Sequence, residues 1–424
     1  MIMRCKKIIA FSILTACATY TDQTAEVRSK LIHGQTSEAI QTLESSSIAS
    51  RKRDEVLYRM ERGMLHYLSG NYDRANKDWE RSFRRSEELY TTSIANTAAS
   101  IAMSEDMTDY EGEDHEKVFL PIFSAMAWFS TGDLNAALVE IRKAYNLISK
   151  LKLDSDGEVA RIDGFPFLVS GLLYEANTNW DSAIIEYRKA LKFYRKAQSD
   201  AFRSVIRLTA DSLWRVAEFR NRTEIVKELE ENGFARPVNN LETVMSKGEV
   251  FVVVEGGQSP IKVPRDHTLQ GSEGIMNISF PTYQAITRAS SFTVMNCDGN
   301  ECLRTSKASD IGILAETALE KRRIRDFAKL VARLAIKAGT QAAVQKQFGE
   351  AAGFAMMLAN AATERADTRS WTLLPENIQI ARIVVNPDTP VRFSSANQYT
   401  VNGNSWVVKV PRGKKKFLRI RTMY

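Results

Sequence analysis

Apolar positions in the first half of the chain return at helical spacing. Between Thr24 and about Gly233 there are few prolines and no sustained two-residue alternation. Three windows share one set of offsets. Gly171 is followed by Tyr174, Ala183, Tyr187 and Ala190, and Ala125, Trp128, Ala137, Ile141 and Ala144 stand at the same intervals. Gly63, His66, Ala75, Trp79 and Ser82 repeat the pattern more loosely. Each window predicts two antiparallel helices, in which small side chains let the backbones approach and a large residue of the second helix fills the groove. Ser69-Gly70-Asn71-Tyr72 and Thr131-Gly132-Asp133-Leu134 supply a glycine stop and an Asn or Asp cap between them. Asn179-Trp180 serves the third window without glycine. Thr24–Ser45 and Ala201–Glu231 read as flanking helical pairs.

Around Gly233–Lys247 the pattern switches. Gly248–Glu255 reads as a buried strand ended by Gly256-Gly257, and Ile275–Phe280 and Ser291–Asn296 as further strands. Two helices are expected at Ala308–Ala338 and Gln341–Thr363, followed by strands at Ile378–Val385, Val391–Ser395, Ser405–Val410 and Phe417–Met423. The expected fold class is therefore mixed: a helical solenoid, then an α+β domain with a mostly antiparallel sheet and a long helical hairpin. The second of those helices, Gly349–Ala362, is small-sided, which suits a tight hairpin, with interfacial binding or homo-oligomer formation as alternatives.

The three windows resemble the tetratricopeptide repeat, whose signature carries a small residue, an aromatic three later, and a later A-x-x-x-F. Ala75, Ala137 and Ala183 are 62 and 46 residues apart, against about 34 in a tandem array, so insertions interrupt the stack. The resemblance implies a concave surface that holds another protein.

The N-terminus changes the address of the chain. Arg4, Lys6 and Lys7 precede an apolar run from Ile8 to Leu14, far short of a spanning helix of about 20 residues. Leu14-Thr15-Ala16-Cys17 resembles a bacterial lipobox, which implies lipidation of Cys17 with palmitate or similar chains; an ordinary secretory signal with an incidental cysteine is the alternative. With Ala18 after the cysteine, the resemblance points to the outer membrane, facing the periplasm. The expected divisions are 1–16 signal peptide, 17–23 lipidated tether, 24–235 helical repeats and 236–424 α+β domain. Losing residues 1–16 removes three basic side chains and no acid, so the charge falls from +7 to +4, no argument for nucleic acid.

Cys297 and Cys302 flank the turn signal Asp298-Gly299 and are expected to pair across a β-hairpin in an exported protein; two unpaired thiols are the alternative. In the acidic stretch Ser104–Glu116, the residues Glu111, Glu113, Asp114 and His115 have the donor types for a cation. A solvated loop leading into a negatively charged helix start is the preferred reading, and no metal is expected. Lys321, Arg322, Arg323, Arg325, Lys329 and Arg333, with Arg412, Lys414, Lys415, Lys416, Arg419 and Arg421, suit contact with anionic lipid or cell-wall polymer. A solvated basic face accounts for them more simply. There is no phosphate-binding glycine loop, G-x-S-x-G elbow or paired metal-ligand motif, and the four histidines (His33, His66, His115, His267) lie far apart. No catalytic residue and no cofactor is expected.

Tyr110-Glu-Gly-Glu-Asp114, Gly132–Lys143 and Glu364-Arg-Ala-Asp367-Thr-Arg369-Ser-Trp371 with Leu374-Pro375 resemble segments of a family of bacterial outer-membrane lipoproteins with tetratricopeptide-like N-terminal halves. The resemblance implies a periplasm-facing lipoprotein and transfers no catalytic residue. Asp367, Arg369 and Trp371 are expected to fix a helix-to-strand junction, the ion pair packing beside the indole, with ligand recognition as the alternative. The expectation for function is a non-enzymatic, lipid-anchored interaction protein whose repeats bind a periplasmic or envelope protein. The alternatives are a subunit of an envelope secretion or surface-assembly machine, or a lipoprotein activator of cell-wall synthesis.

Overall fold

The computed structural model describes residues 19–95, 107–154, 163–271, 274–286, 289–290, 292–323, 346, 366–395, 400–401 and 403–423. The expectations for Cys17, the signal segment, Arg325, Lys329, Arg333 and the Gly349–Ala362 helix lie outside these residues.

Among the described residues, five helical pairs form the first half. After a short helix α1 (Tyr20–Gln23) come α2 (Ala25–Ile32) with α3 (Thr36–Ser45), then a turn of helix α4 (Ser47–Ser50). The next pairs are α5 (Glu55–Leu68) with α6 (Tyr72–Ala95), α7 (Asp114–Thr131) with α8 (Leu134–Asp154), and α9 (Phe165–Ala176) with α10 (Trp180–Lys196). The last is α11 (Arg203–Phe219) with α12 (Thr223–Glu231), and α13 (Leu241–Ser246) leads into the strands. Gly132, at φ 88°, stops α7, and Asn179 caps α10 by accepting from the Ser182 amide. The pairing has the expected cause. A Cβ on Gly171 would stand 2.5 Å from the Tyr187 ring, and one on Gly63 2.4 Å from the Trp79 indole. Sixteen residues separate the two partners in each pair, and at the same interval Ala125 is matched with the smaller Ile141. Ala75, Ala125, Ala137 and Ala183 are fully buried, whereas Trp128 and Tyr174 lie only half-buried at the edge of the core.

Among the described residues, the second half builds three sheets. One runs β10 (Lys415–Arg421), β1 (Gly248–Gly256), β7 (Asn377–Val385), β6 (Ser306–Asp310). Within it β10 is parallel to β1 and the other neighbours are antiparallel. A ribbon pairs β2 (Ile261–Gly271) with β3 (Gly274–Gln284). The third, all antiparallel, runs β5 (Asn300–Arg304), β4 (Val294–Cys297), β8 (Val391–Ser395), β9 (Ser405–Val408). Strand β6 occupies the start of the expected Ala308–Ala338 helix, which begins at residue 311 and is described to 323.

Every residue of β1 is buried, as a strand covered on both faces must be. Val250, Val252 and Val254 pack with Met295, Phe393, Val410, Leu418 and Ile420. Phe251 and Val253, on the other face, belong to the same apolar core as the helices. The molecule is therefore layered as helices, sheet and sheet, and the two halves share a core instead of each enclosing its own. The expected tether also changes. Thr19 caps α1, Tyr20 and Thr21 are buried, and the Thr21 hydroxyl donates to the Lys262 carbonyl at 2.7 Å. Residues 19–23 are docked structure.

Candidate functional site

The first helices of the pairs (α5, α7, α9, α11) turn one face toward the sheet, and polar side chains on that face are spent on the chain's own second half. Glu61, in α5, accepts from the Thr372 amide and hydroxyl, both at 2.7 Å, and from the Leu373 amide at 3.1 Å. Glu116, in α7, accepts from the Trp371 amide at 2.6 Å and the Tyr110 hydroxyl at 2.6 Å. Arg421 holds the same segment from the strand side, donating to the Leu373 and Leu374 carbonyls at 3.1 and 3.3 Å. The Trp371 indole is 1% exposed and lies edge-on to Trp79 and Phe123. Segment 371–374 forms no strand or helix. Carboxylates of the helical array satisfy its amides, as buried backbone donors require.

A second buried cluster joins α9 to the sheet. Glu175 accepts from Arg382 at 2.7 Å and Lys415 at 2.8 Å, and from the Tyr187 hydroxyl. Glu249 takes Arg382 and Lys415 from the other side, at 2.9 and 2.5 Å. Arg382 also donates to Ser212 of α11 at 2.7 Å. Burial alone would raise both acids, but Arg382 and Lys415 overcome it and hold Glu175 and Glu249 below the usual carboxylate range. At the ends of the seam Tyr67 donates to Glu255 at 2.8 Å, Tyr194 to the Ala308 carbonyl at 2.7 Å, and Ser309 to Asp163 at 2.6 Å. Where no ion pair forms among the described residues, burial wins. Glu61 is raised to about 7 and Asp163 to about 6 despite their hydrogen bonds.

Two of the family-like motifs converge here, although some 250 residues separate them. Glu113 caps α7 and is buried in ion pairs with Lys262 and, at 2.7 Å, Arg322. These two cations depress it against the pull of burial. This corrects the expectation of a solvated acidic loop. Glu111, 3.5 Å from Lys117, Asp109 and Asp114 keep part of their exposure, while His115 is 1% exposed and burial lowers its pKa. Among the described residues no group of three His, Cys, Asp or Glu side chains is placed to hold a metal ion. Arg369 pairs with Asp367 at 2.8 Å and reaches Asp54 and the Thr108 carbonyl across the seam. The ring beneath its guanidinium belongs to Tyr110, with Trp371 occupied elsewhere. The triplet thus ties the second half to the helical array, a wider role than the expected local junction. The basic C-terminal residues divide as well. Lys415, Arg419 and Arg421 are seam residues, whereas Arg412, Lys414 and Lys416 keep their exposure or part of it.

Cys297 and Cys302 are disulfide-bonded across the β4–β5 hairpin, with Cα atoms 5.5 Å apart. A register shift between Met295 and Asn296 leaves Cys302 as the extra residue, which swings it toward Cys297.

Sequence reasoning missed Glu61, Glu116, Glu175, Glu249, Glu255 and Arg382. A signal was present: Glu175 is the lone acid in the otherwise apolar Phe165–Ala176 helix. The described residues of the helical array carry solvent-facing grooves, two of which matter here. One, of 480 Å³, is lined by Asp73, Lys77, Glu80, Arg81, Arg84 and Glu140 beside Trp128. The other, of 570 Å³, lies between α10 and the α11/α12 pair. No described helix is long and apolar enough to cross a membrane.

No family model and no curated protein matches the sequence. Among solved structures the chain is similar to the apo form of RapI, at 12% identity and a TM-score of 0.37, over 50% of this chain and 52% of that one. It spans about half the length of that protein. A kinesin light chain from Podosopora anserina with nearly identical TPR-like repeats gives 14% identity and a TM-score of 0.34, over 49% of this chain and 90% of that one. BtubC (BKLC) from P. vanneervenii gives 14% and 0.30, over 52% of this chain and 80% of that one. With likenesses this distant, the assignment of TPR-like helical pairs rests on the helix packing itself.

Proposed function

We propose that this chain is a non-enzymatic interaction protein, held at the bacterial cell envelope by lipid on Cys17, which binds a protein partner through the outer side of its helical array. One observation carries the reading. The inner face, where a helical-repeat solenoid ordinarily receives its partner, is filled by the chain's own sheet and by segment 371–374, which leaves the outer helices and their grooves for a partner. The buried carboxylates act as structural acceptors satisfied by backbone amides, arginine and lysine, which is support for a scaffold over an enzyme. The anchor reading rests on Leu14-Thr15-Ala16-Cys17 and gains a physical consequence. Thr19, two residues past Cys17, already caps α1, so a lipid on Cys17 would hold the body close to the bilayer.

The test has two arms. Cells fed an alkyne fatty acid are expected to label the wild-type chain and not Cys17→Ala; equal labelling of both, or of neither, rejects the anchor. A photoreactive residue at Arg81 or Ile185 on the outer side is expected to crosslink a protein. One at Phe251 is expected to crosslink only within the chain. An intermolecular product from Phe251 alone would place the partner on the inner face and reject the reading.

A further inference from the structure

We propose that the groove between α10 and the α11/α12 pair receives an acidic, amphipathic helical segment of a partner protein, an inference that rests on the outer-face reading above. The groove has an apolar floor made by Leu191, Leu213 and Leu229, each under 8% exposed. Phe234 forms one wall. It is placed there by the end of α12, where Gly233 at φ 81° lets the Phe234 amide return to the Leu229 carbonyl at 3.0 Å. Ile185 stands at the rim, an apolar side chain 52% exposed.

The charge is one-sided. Arg188, Lys189, Lys192 and Arg195 line the α10 wall, following its helical repeat, and the single carboxylate in the lining is Glu228. Glu228 is already paired with Arg188 at 2.9 Å, and Lys189 with Glu186 at 2.9 Å. Lys192 and Arg195 form no ion pair among the described residues. A leucine-sized floor under a cationic wall is complementary to a helix with apolar residues on one stripe and acids beside it. The concave shape sets this occupant apart from a bilayer surface, since a flat headgroup layer does not reach a floor set between helices. The other outer groove makes the contrast clear. Its lining of three acids against three cations carries no preference of sign.

The experiment uses the detergent-solubilised full chain and three fluorescent synthetic peptides, each about 14 residues, a usual helix length. One has leucines at i, i+4 and i+7 flanked by glutamates; the second replaces the glutamates by lysine; the third replaces the leucines by glutamine. Anisotropy is expected to report binding of the first only, weakened by added salt. The Lys192→Glu/Arg195→Glu double variant is expected to lose about tenfold in affinity, roughly 1.4 kcal/mol, and Ile185→Asp to weaken binding without altering the far-ultraviolet spectrum. These substitutions lie on exposed positions, so the fold remains a control and not the readout. Failure of the first peptide to bind, or binding unchanged by the charge reversal, overturns the proposal. Phosphatidylglycerol vesicles held by the wild type and lost by the double variant, with no peptide bound, would assign the groove to lipid and also overturn it. Should a protein crosslink from Arg81 and not from Ile185, the outer-face reading stands and the groove assignment falls.

Discussion

Gly171 and Gly63 show how much of the helix packing a single missing Cβ decides. The ring of Tyr187 occupies the space above Gly171, and its hydroxyl is fixed on buried Glu175, so it has no free end to swing away. Gly171→Ala is expected to destabilise by about 1–3 kcal/mol, the usual range for overpacking, measured by urea unfolding; an unchanged midpoint would contradict the close contact. Glu61 makes a second prediction. Its carboxyl is raised to about 7 in the fold, above the ordinary 4.5, so the native state holds its proton more tightly than the unfolded chain does. That stability is complete below the unfolded value and is lost as pH rises through about 7, a span worth roughly 3 kcal/mol. The stability of the wild type relative to Glu61→Gln is therefore expected to fall between pH 5 and pH 8. The comparison cancels the opposite drift of buried His115, whose lowered pKa favours the fold as pH rises. A difference independent of pH would show that Glu61 does not carry the proton.

Among elements, the helical pairs were the most legible from sequence. Small and large residues recur at fixed intervals because two helices must meet, and that need is local. The β-hairpin with its cysteines was legible for the same reason. Strands β2 and β6 were not: β2 carries Lys262, Pro264, Arg265 and Asp266 although its partner β3 follows directly, and polar Ser306–Asp310 pairs with β7, as Ser306 with Ile380, far along the chain. Closing the loop between Cys297 and Cys302, five residues apart, is expected to contribute about 2 kcal/mol by loop entropy. Reduction should therefore lower the melting temperature while leaving far-ultraviolet helicity intact below the transition. Loss of helicity on reduction alone would mean that the hairpin supports the array. Between α9 and the sheet, Glu175→Gln leaves Arg382 and Lys415 short of a buried countercharge. Removing one partner of such a cluster costs about 3–5 kcal/mol, read as a lower thermal midpoint; a change within error would reduce the cluster to decoration.

At the scale of the whole molecule, helical pairs and strands were readable in order, but their assembly was not. Two domains were expected because 424 residues exceed a single ordinary core. The structure instead folds β1, β7 and segment 371–374 into the face of the array. The reason is chemical. Phe251 and Val253 need cover on the side away from the second sheet, and the amides of Trp371, Thr372 and Leu373 need acceptors. Glu61 and Glu116 supply those acceptors from helices more than 250 residues earlier in the chain. The inner face is therefore an internal contact, which under the proposed function leaves recognition to the outside. Hydrogen–deuterium exchange of the full chain tests this most directly, because the amides of Trp371, Thr372 and Leu373 belong to no regular element. They are expected to exchange as slowly as those of β1, and to lose that protection in Glu61→Ala. Exchange of these three amides at the rate of an exposed loop in the wild type would contradict the sealed inner face.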